Sequence, residues 1–133
     1  MKSRISHTFL VFVVIAATSL LSRASADDAA VYELRTYTCE PGKLDALHER
    51  FENHTMQIFE KHGMENVAYW VPTDEPQSEN TLIYLLRHKS RAAAQESWKA
   101  FLNDAEWKQV AQASREAHGK ILAKSPDSVF LIP

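Results

Sequence analysis

The spacing of apolar residues switches repeatedly between the period of a strand and the period of a helix along residues 31–132, and this restricts the fold more than any other feature of the chain. Residues 31–38 (VYELRTYT) alternate in character and are rich in aromatic and β-branched side chains, which is typical of a strand. A stripe spaced by three and four residues follows, formed by Leu44, Leu47, Phe51, His54 and Ile58. This spacing predicts a helix with one side on a core, and Gly63 predicts where the helix ends.

The second half of the chain repeats this alternation of elements. Residues 64–71 (MENVAYWV) and 81–88 (TLIYLLRH) predict two further strands, separated by a loop rich in proline and acidic residues. Ser90 and Asp104 are each placed to cap a helical segment, and residues 128–132 (SVFLI) predict a last short strand. The order is strand, helix, strand, strand, helix, strand. We therefore expect an α+β fold with the split βαβ, or ferredoxin-like, arrangement (βαββαβ).

One face of this predicted sheet is difficult to leave in water. Strand alternation places Leu34 and Leu86 on the face under the helices. We expect the opposite face to carry a mixture of charged, aromatic and aliphatic side chains: Glu33, Arg35, Tyr37, Ile83, Leu85 and Arg87. Such a face is too apolar for water and too charged for a dry core, which favours a second copy of the chain covering it. The prediction is a homodimer whose two sheets enclose a barrel, with ion pairs among the charged residues inside. The alternative is a monomer with salt bridges on an exposed sheet face.

The first 26 residues differ in character from the rest of the chain. A basic start (MKSR) precedes an uncharged apolar run over residues 9–21, and small residues (ASA) follow at 24–26. This pattern is typical of a secretory signal peptide, and the run is shorter than the ~20 apolar residues of a membrane span. We predict that residues 1–26 are a signal peptide and that residues 27–133 form a single exported domain, periplasmic or extracellular, without a membrane span. The alternative is a retained membrane anchor.

Charge and cysteine content restrict the partners of the predicted domain. Without residues 1–26 the chain keeps 12 basic and 17 acidic residues, a formal net charge of −5. An acidic domain without a block of Lys or Arg is a poor partner for nucleic acid or for an anionic membrane surface. Cys39 is the only cysteine, so no intrachain disulfide can form, and we expect it to be a small buried residue at a strand end.

Short motifs along the whole predicted domain resemble one known family. The motifs are YELRTY at 32–37, PGKL at 41–44, Phe51 with His54, HGM at 62–64, YW at 69–70, LIYLL at 82–86, SRA at 90–92, Trp98 with Phe101, and Trp107 followed by Ser114. In order and spacing they resemble the NIPSNAP domain over nearly all of residues 31–133. One departure is DAEW at 104–107, where members of the family commonly have Pro in the second place.

The resemblance implies a dimeric α+β barrel, in agreement with the predicted order of elements. Animal members of the family are associated with mitochondria and vesicle traffic and often carry two copies of the domain. We do not extend those roles to a chain with one copy behind a predicted export signal. The family has no agreed chemical activity, so the resemblance implies a fold rather than a reaction.

The sequence contains none of the common active-site motifs. Its histidines form no zinc-protease or Cys-paired pattern, and the three glycines, at positions 42, 63 and 119, cannot build a phosphate-binding or dinucleotide-binding loop. We therefore assign no catalytic residue, no metal ligand and no cofactor from the sequence.

His54, on the stripe of the first predicted helix, is the main candidate for a functional side chain. In the functional interpretation it lines a pocket between helix and sheet, where an imidazole with a pKa near ~6.5 acts as a base or binds a ligand. The other candidate ligand-binding residues are Tyr32, Arg35, Trp70, Tyr84 and Trp98, of which Arg35 is suited to an anionic ligand. The alternative is structural: His54 is a hydrogen-bonded core residue and the aromatic residues are core.

Two classes of function follow. The first, which we favour, is a non-catalytic dimeric module that binds a small hydrophobic ligand or a protein partner outside the cytoplasm. The second is an enzyme, because related dimeric α+β barrels include cofactor-independent monooxygenases and haem-dependent enzymes. This second class rests on analogy of fold, which by itself is a weak indication of function. The environment of His54 separates them: an accessible pocket with a second polar group favours the enzyme, and a sealed histidine does not.

Overall fold

The computed structural model describes residues 29–133, in which four strands form one antiparallel sheet. They are β1 (Val31–Thr38), β2 (Glu65–Trp70), β3 (Thr81–His88) and β4 (Asp127–Leu131), in the spatial order β2-β3-β1-β4. This order confirms the predicted ferredoxin-like α+β fold. The predicted signal peptide lies outside the described residues. Within the described part of the chain, no helix is long and apolar enough to cross a membrane.

The first helical stretch has three consecutive segments. α1 (Leu44–Arg50) passes into a π-helical turn (Phe51–Thr55) and then into α2 (Met56–Lys61), and the backbone angles stay helical through both junctions. The stretch ends before Gly63, whose φ is +77°. Glycine adopts this left-handed conformation readily because it has no Cβ, which confirms the predicted end of the helix.

Two helices follow β3, and both begin at the predicted caps. Before α3 (Arg91–Asn103), the hydroxyl of Ser90 accepts a hydrogen bond from the backbone N–H of Ala93 at 3.0 Å. Before α4 (Ala105–His118), Asp104 Oδ1 accepts from two N–H groups of the first turn, at 2.7 and 3.1 Å. Each cap satisfies donors that a helix start otherwise leaves without partners.

The helices pack on one face of the sheet around an aromatic core. Phe51, Phe59 and Tyr84 are fully or almost fully buried. The ring centroid of Tyr84 lies 5.2 Å from that of Phe51, edge to face, and 5.9 Å from that of Phe59, stacked. Such pairs add to the stability that burial of the rings provides. Cys39 is buried directly after β1, as predicted, and its backbone forms an isolated antiparallel β-bridge with Leu122.

The pairing of β1 with β3 assigns the two sheet faces differently from the sequence prediction. Glu33, Arg35 and Tyr37 of β1 pair with Leu86, Tyr84 and Leu82 of β3, respectively. Because paired residues project to the same side, these three residues of β1 lie on the helix-covered face. The prediction that they lie on the uncovered face is wrong. The prediction that side chains alternate between the two faces within each strand is correct. Which residues of β1 share a face with which residues of β3 depends on the register between the two strands.

The opposite face of the sheet, which we call the open face, is predominantly apolar. It consists of Tyr32, Leu34, Thr36, Thr38, Glu65, Ala68, Trp70, Thr81, Ile83, Leu85, Arg87, Asp127, Val129 and Leu131. Ile83, Leu85 and Arg87 lie on the open face, as predicted. Leu34 was predicted to lie under the helices, and this prediction is wrong, again because of the register between β1 and β3. Trp70, Val129 and Leu131 are 50, 54 and 41% exposed, so large apolar side chains of this face are in solvent in the single chain.

Candidate ligand-binding sites

Glu33, in the middle of β1, is a carboxylate that is only 1% exposed. Its Oε1 accepts hydrogen bonds from Arg35 Nη1 and Ser128 Oγ, both at 2.7 Å. Its Oε2 accepts from Trp98 Nε1 at 2.7 Å, and His88 Nε2 lies 2.8 Å from the same oxygen. We call these five residues the Glu33 cluster. Each carboxylate oxygen has two partners, and the partners come from β1, β3, α3 and β4.

The partners of Glu33 determine its ionisation. Burial raises the pKa of this carboxyl group, but the hydrogen bonds from His88, Ser128, Trp98 and Arg35 outweigh burial and lower the pKa to about 2. Glu33 is therefore ionised near neutral pH and has no free acceptor position to offer a ligand. Its arrangement is that of a carboxylate that holds four elements together, not of an acid or base that exchanges a proton.

Three of the predicted ligand-binding residues lie together beside this carboxylate. Arg35 Nε donates to Tyr84 Oη at 2.9 Å, and Arg35 Cζ lies 4.2 Å from the centroid of the Trp98 ring. Tyr84 is fully buried, and burial raises its pKa well above its ordinary value, so its hydroxyl stays protonated. None of the three lines either of the cavities described below. They form a closed and well-partnered interior.

The three charged residues that were predicted to pair inside a barrel are divided between the two faces. Glu33 and Arg35 form an ion pair of 2.7 Å under the helices. Arg87 Nη1 lies 3.0 Å from Glu65 Oε2, on the open side of the sheet. The predicted grouping of all three is therefore wrong, again because register separates Arg35 from Arg87.

A cleft of about 390 Å³, which we call the edge cleft, lies between the first helical stretch and the end of β2. Its lining is mainly apolar and aromatic: His48, Phe51, Glu52, Met56, Tyr69, Trp70, Val71 and Leu82. Trp70, one of the predicted ligand-binding residues, belongs both to this cleft and to the open face. His48 Nε2 is buried and has no hydrogen-bond partner among residues 29–133. The cleft therefore combines ring surfaces with one unpartnered polar atom.

Tyr69 is a fixed wall of the edge cleft. Its hydroxyl donates to Asn66 Oδ1 at 2.5 Å, and Asn66 Nδ2 donates to the carbonyl oxygen of Met56 at 2.9 Å. The Tyr69 ring stacks on Tyr84, with the centroids 5.3 Å apart. Burial also raises the pKa of Tyr69, so the hydroxyl remains a hydrogen-bond donor. These contacts hold the ring in place before any ligand arrives.

A second cavity, of about 350 Å³, lies between the first helical stretch and α4, and we call it the helix groove. Its lining combines small apolar residues with polar ones: Ala46, Glu49, Arg50, Asn53, His54, Gln109, Val110, Ala113, Ser114, Ala117 and His118. His54 therefore lines a cavity together with other polar groups. This cavity is formed by two helices, whereas His54 was predicted to lie between helix and sheet. An accessible cavity with further polar groups is the arrangement that we expected of an enzyme, although no side chain among residues 29–133 forms a hydrogen bond with His54.

The π-helical turn explains where His54 lies. A regular α-helical stripe brings position 54 to the buried side after Phe51, but the wider turn brings Thr55 there instead. Thr55 is 1% exposed, and its hydroxyl donates to the carbonyl oxygen of Arg50 at 3.2 Å. His54 is exposed, so the interpretation of His54 as a core residue is wrong. Apolar spacing alone does not reveal a π-helical turn.

The six predicted ligand-binding residues do not meet in one site. They divide among four places: Arg35, Tyr84 and Trp98 in the closed interior, Trp70 in the edge cleft, His54 in the helix groove, and Tyr32 on the open face. Sequence reasoning did not single out His48 or Arg50. Each of these two residues has a buried nitrogen without a partner and also lines a cavity, a combination that only the folded arrangement shows. Among the described residues, no group of three or more His, Cys, Asp or Glu is placed to hold a metal ion.

The fold and its cavities define a small α+β domain in which helices cover one face of a four-stranded antiparallel sheet and ligand-sized spaces adjoin the first helical stretch. A family model described as NIPSNAP matches residues 32–131. The chain belongs to the NIPSNAP family, as the sequence motifs predict. No curated protein gives a significant match to the sequence.

Solved structures share this fold at low sequence identity. An uncharacterized NIPSNAP-like domain protein from Burkholderia xenovorans is similar with a TM-score of 0.66 and 16% identity, over 80% of this chain and 86% of that chain. A monooxygenase from Streptomyces coelicolor in complex with the ligand nanaomycin D has a TM-score of 0.56 and 17% identity, over 80% and 88%. A cofactor-independent oxygenase from Streptomyces nogalater has a TM-score of 0.51 and 11% identity, over 79% and 93%. At these identities the likeness shows the fold alone.

Proposed function

We propose that this chain is an exported homodimeric binding protein whose edge cleft takes a small, neutral, aromatic ligand with one hydrogen-bonding group. The observation that carries the proposal is that His48, whose buried Nε2 has no partner among residues 29–133, lines a mainly apolar and aromatic cleft. Small-molecule sites typically combine an apolar lining with a few placed polar groups. The edge cleft has this composition.

The chemistry of the lining indicates the class of ligand. A buried polar atom without a partner costs ~1–3 kcal/mol, which a ligand hydroxyl or carbonyl group recovers by bonding to His48. Phe51, Tyr69 and Trp70 supply ring surfaces for a flat apolar molecule. Glu52 is the one acidic side chain in the lining, and its charge disfavours an anionic ligand. The combination favours a neutral aromatic molecule.

The open face supports the homodimer. Three of its fourteen residues are charged, Arg87 with its ion-pair partner Glu65 and Asp127 at the start of β4, and large apolar side chains there are exposed in the single chain. A surface of this kind is typical of an interaction site, and a two-fold pairing of identical faces covers it in both copies. Trp70 belongs to the open face and to the edge cleft, so a second copy on that face would border the cleft.

Sedimentation velocity on residues 27–133 tests the homodimer. We expect twice the chain mass for the wild type and a folded monomer for Leu85→Lys, because the new charge lies in the middle of the apolar face. Gln57→Lys places the same charge on an exposed position of α2 and should leave the dimer intact. A monomeric wild type, or a dimeric Leu85→Lys variant, would contradict the proposed interface.

The basic start, apolar run and small residues of the first 26 positions support export. The test is to sequence the N-terminus of the protein recovered from outside the cytoplasm. We expect it to begin at Asp27. Recovery of the chain in the membrane fraction with residues 1–26 still attached would contradict export and would favour the membrane anchor.

Native mass spectrometry followed by titration with 1-naphthol tests the ligand site. We expect extra mass on the protein purified from its exported form, and binding of 1-naphthol that His48→Ala weakens about tenfold, the equivalent of one lost hydrogen bond. Gln57→Ala, at an exposed position of the same helical stretch, is the matched control. Equal affinity of the wild type and His48→Ala for 1-naphthol would exclude His48 as the recognition group.

A cofactor-independent oxygenase is the second candidate function. One Streptomyces neighbour is a cofactor-independent oxygenase and the other a monooxygenase on the same fold, and the imidazole of His48 in the edge-cleft lining is a candidate base toward a phenolic ligand. Oxygen uptake measured with 1-naphthol decides between the candidates. Uptake that His48→Ala abolishes favours the oxygenase, and binding without uptake favours the binding protein. The haem-dependent alternative has no comparable support among the neighbours named above.

A further inference from the structure

We propose that the helix groove is a second ligand site, which binds a small organic carboxylate through the guanidinium group of Arg50. The proposal is independent of the function proposed for the edge cleft, because it rests on different residues on the other side of the first helical stretch. It begins from a charge that the fold places in partial burial without an opposite charge.

Arg50 is half-buried and has few partners. Its Nη1 donates to Ser114 Oγ at 3.4 Å, which is a long hydrogen bond, and its buried Nε has no acceptor among residues 29–133. Within the same described range Arg50 forms no ion pair. Arg35 and Arg87, by contrast, each pair with a glutamate at 3.0 Å or less. Arg50 thus lines the cavity with a guanidinium group whose donors are incompletely used.

The energetics of this arrangement favour an anion. Burial lowers the pKa of Arg50, although the nearby Tyr37, Cys39 and Tyr84 raise it again in part. Withdrawing a cation from water costs free energy unless an opposite charge compensates it. A carboxylate suits the guanidinium group well, because its two oxygens accept two parallel N–H bonds. A bound carboxylate would therefore supply the opposite charge that Arg50 lacks among residues 29–133.

The position of Arg50 is fixed before a ligand arrives. It is the last residue of α1, and its carbonyl oxygen is held by the hydroxyl of Thr55 across the π-helical turn. Its Cζ lies 5.5 Å from the centroid of the Trp107 ring, within the range of a cation–π contact. Because the hydrogen bond to Ser114 and the contact with the Trp107 ring both restrain the guanidinium group, the side chain loses less freedom when it binds a ligand.

The rest of the lining indicates an organic carboxylate rather than an inorganic anion. Ala46, Val110, Ala113 and Ala117 form a small apolar surface on which a short hydrocarbon tail can lie. His54, His118, Asn53 and Gln109 add polar atoms to the same lining. Glu49 is the one acidic lining residue; it is exposed and does not pair with Arg50. The expected ligand has a carboxylate at one end and an apolar chain at the other.

Isothermal titration calorimetry of residues 27–133 with hexanoate tests the proposal. We expect Arg50→Gln to weaken hexanoate binding tenfold or more and Arg50→Lys to recover part of it, since the lysine keeps the charge but loses the paired geometry. Arg115→Gln removes an exposed cation of α4 that does not line the groove, and it should leave hexanoate binding unchanged. Hexanamide, which has the same tail without the charge, should bind at least tenfold more weakly than hexanoate.

A second variant keeps the test decisive if Arg50→Gln does not fold. Ala113→Phe fills the groove from an exposed position of α4 without changing Arg50, and it should abolish hexanoate binding. Equal binding of hexanoate to the wild type and to Arg50→Gln or Ala113→Phe would overturn the proposal. Equal binding of hexanamide would overturn the role of the charge. Binding of inorganic phosphate in preference to hexanoate would overturn the assignment to an organic carboxylate.

Discussion

Glu33, on the sheet under the helices, and Arg50, in the groove between α1 and α4, carry opposite charges and are partnered in opposite ways. Each oxygen of Glu33 has two partners, and the partners come from four elements. Arg50 has one long hydrogen bond, one aromatic contact and a buried nitrogen with no acceptor. The comparison contrasts a buried charge whose full set of partners holds the fold together with a half-buried charge whose incomplete set underlies the ligand site that we propose.

The same distinction applies to the histidines near each centre. His88 contacts Glu33 through Nε2 in the fully buried interior, although its Nδ1 has no partner in the described chain. His48 has an unpartnered, buried Nε2 as well, but His48 is one of the residues that line the edge cleft. An unpartnered atom therefore indicates a site only where a cavity adjoins it.

The largest expected effect is the loss of the Glu33 carboxylate. Glu33→Ala leaves Arg35 buried without its counter-charge and removes one partner each from His88, Trp98 and Ser128. Removing one member of a buried ion pair typically costs ~3–5 kcal/mol in the free energy of unfolding. Urea denaturation of wild type and variant measures it. Glu65→Ala, at the exposed pair with Arg87, is the matched control and should cost ~1 kcal/mol or less. A loss below ~1 kcal/mol for Glu33→Ala would contradict the comparison.

Acid should weaken the fold through the same carboxylate. The pKa of Glu33 is lowered from the ordinary 4.5 to about 2, so the folded state binds this proton less readily than the unfolded chain. The stabilisation is fully present above pH 4.5 and is lost progressively as the pH falls toward 2, by about 3 kcal/mol in all.

Urea denaturation of wild type and Glu33→Gln between pH 2 and 6 isolates this contribution, because the variant cannot titrate at position 33. The comparison is needed because Asp104 also titrates in acid. Its pKa is lowered mainly by the hydrogen bond from Lys61 and, to a smaller extent, by that from His62. We expect the pH dependence of the variant to be flatter than that of the wild type. Parallel curves would show that Glu33 is not the group responsible.

Trp98→Phe should have a smaller effect than loss of the carboxylate. The change removes the indole N–H that donates to Glu33 Oε2 but keeps an aromatic ring beside Arg35. A hydrogen bond to a charged group contributes ~1.5–3 kcal/mol, so a decrease of about 2 kcal/mol in the free energy of unfolding is expected. Trp107→Phe keeps its aromatic packing and has no role in the Glu33 cluster, which makes it the control. Equal losses for both variants would remove the special role of the Trp98 hydrogen bond.

The smallest effect on stability is expected for His54→Ala. His54 is exposed, and it is the neighbouring Thr55 that occupies the buried side of the helix. Exposed substitutions away from special features usually change stability by no more than ~0.5 kcal/mol. Thr55→Val, which removes the hydroxyl that bonds across the π-helical turn, should cost more. If thermal unfolding shows His54→Ala to be the more destabilising of the two, the assignment of the π-helical turn is wrong.

The sequence predicts the fold well because each element is indicated by its own local sequence pattern. The strand at Val31–Thr38, the strand at Thr81–His88 and the caps at Ser90 and Asp104 coincide with the structure. Local periodicity and capping chemistry need no knowledge of the partner element. These features therefore appear in the sequence at the same positions as in the fold.

The sites are harder to predict because they depend on pairing between distant elements. The register of β1 and β3 decides that Glu33 and Arg35 lie under the helices, and no feature within either strand specifies that register. The π-helical turn similarly exchanges the roles of His54 and Thr55. The lack of a partner at His48 or Arg50 is a property of everything around the side chain, which is why the sequence did not single them out.

The most direct test of the central claim compares two arginines in one experiment. Nuclear magnetic resonance of the arginine Nε–Hε groups during a hexanoate titration reports on each side chain separately. We predict that the Arg50 resonance shifts as hexanoate binds its guanidinium group, while the Arg35 resonance, whose Nε already donates to Tyr84, stays in place. A shift of Arg35 with Arg50 unmoved would contradict the distinction between the partnered and the unpartnered charge.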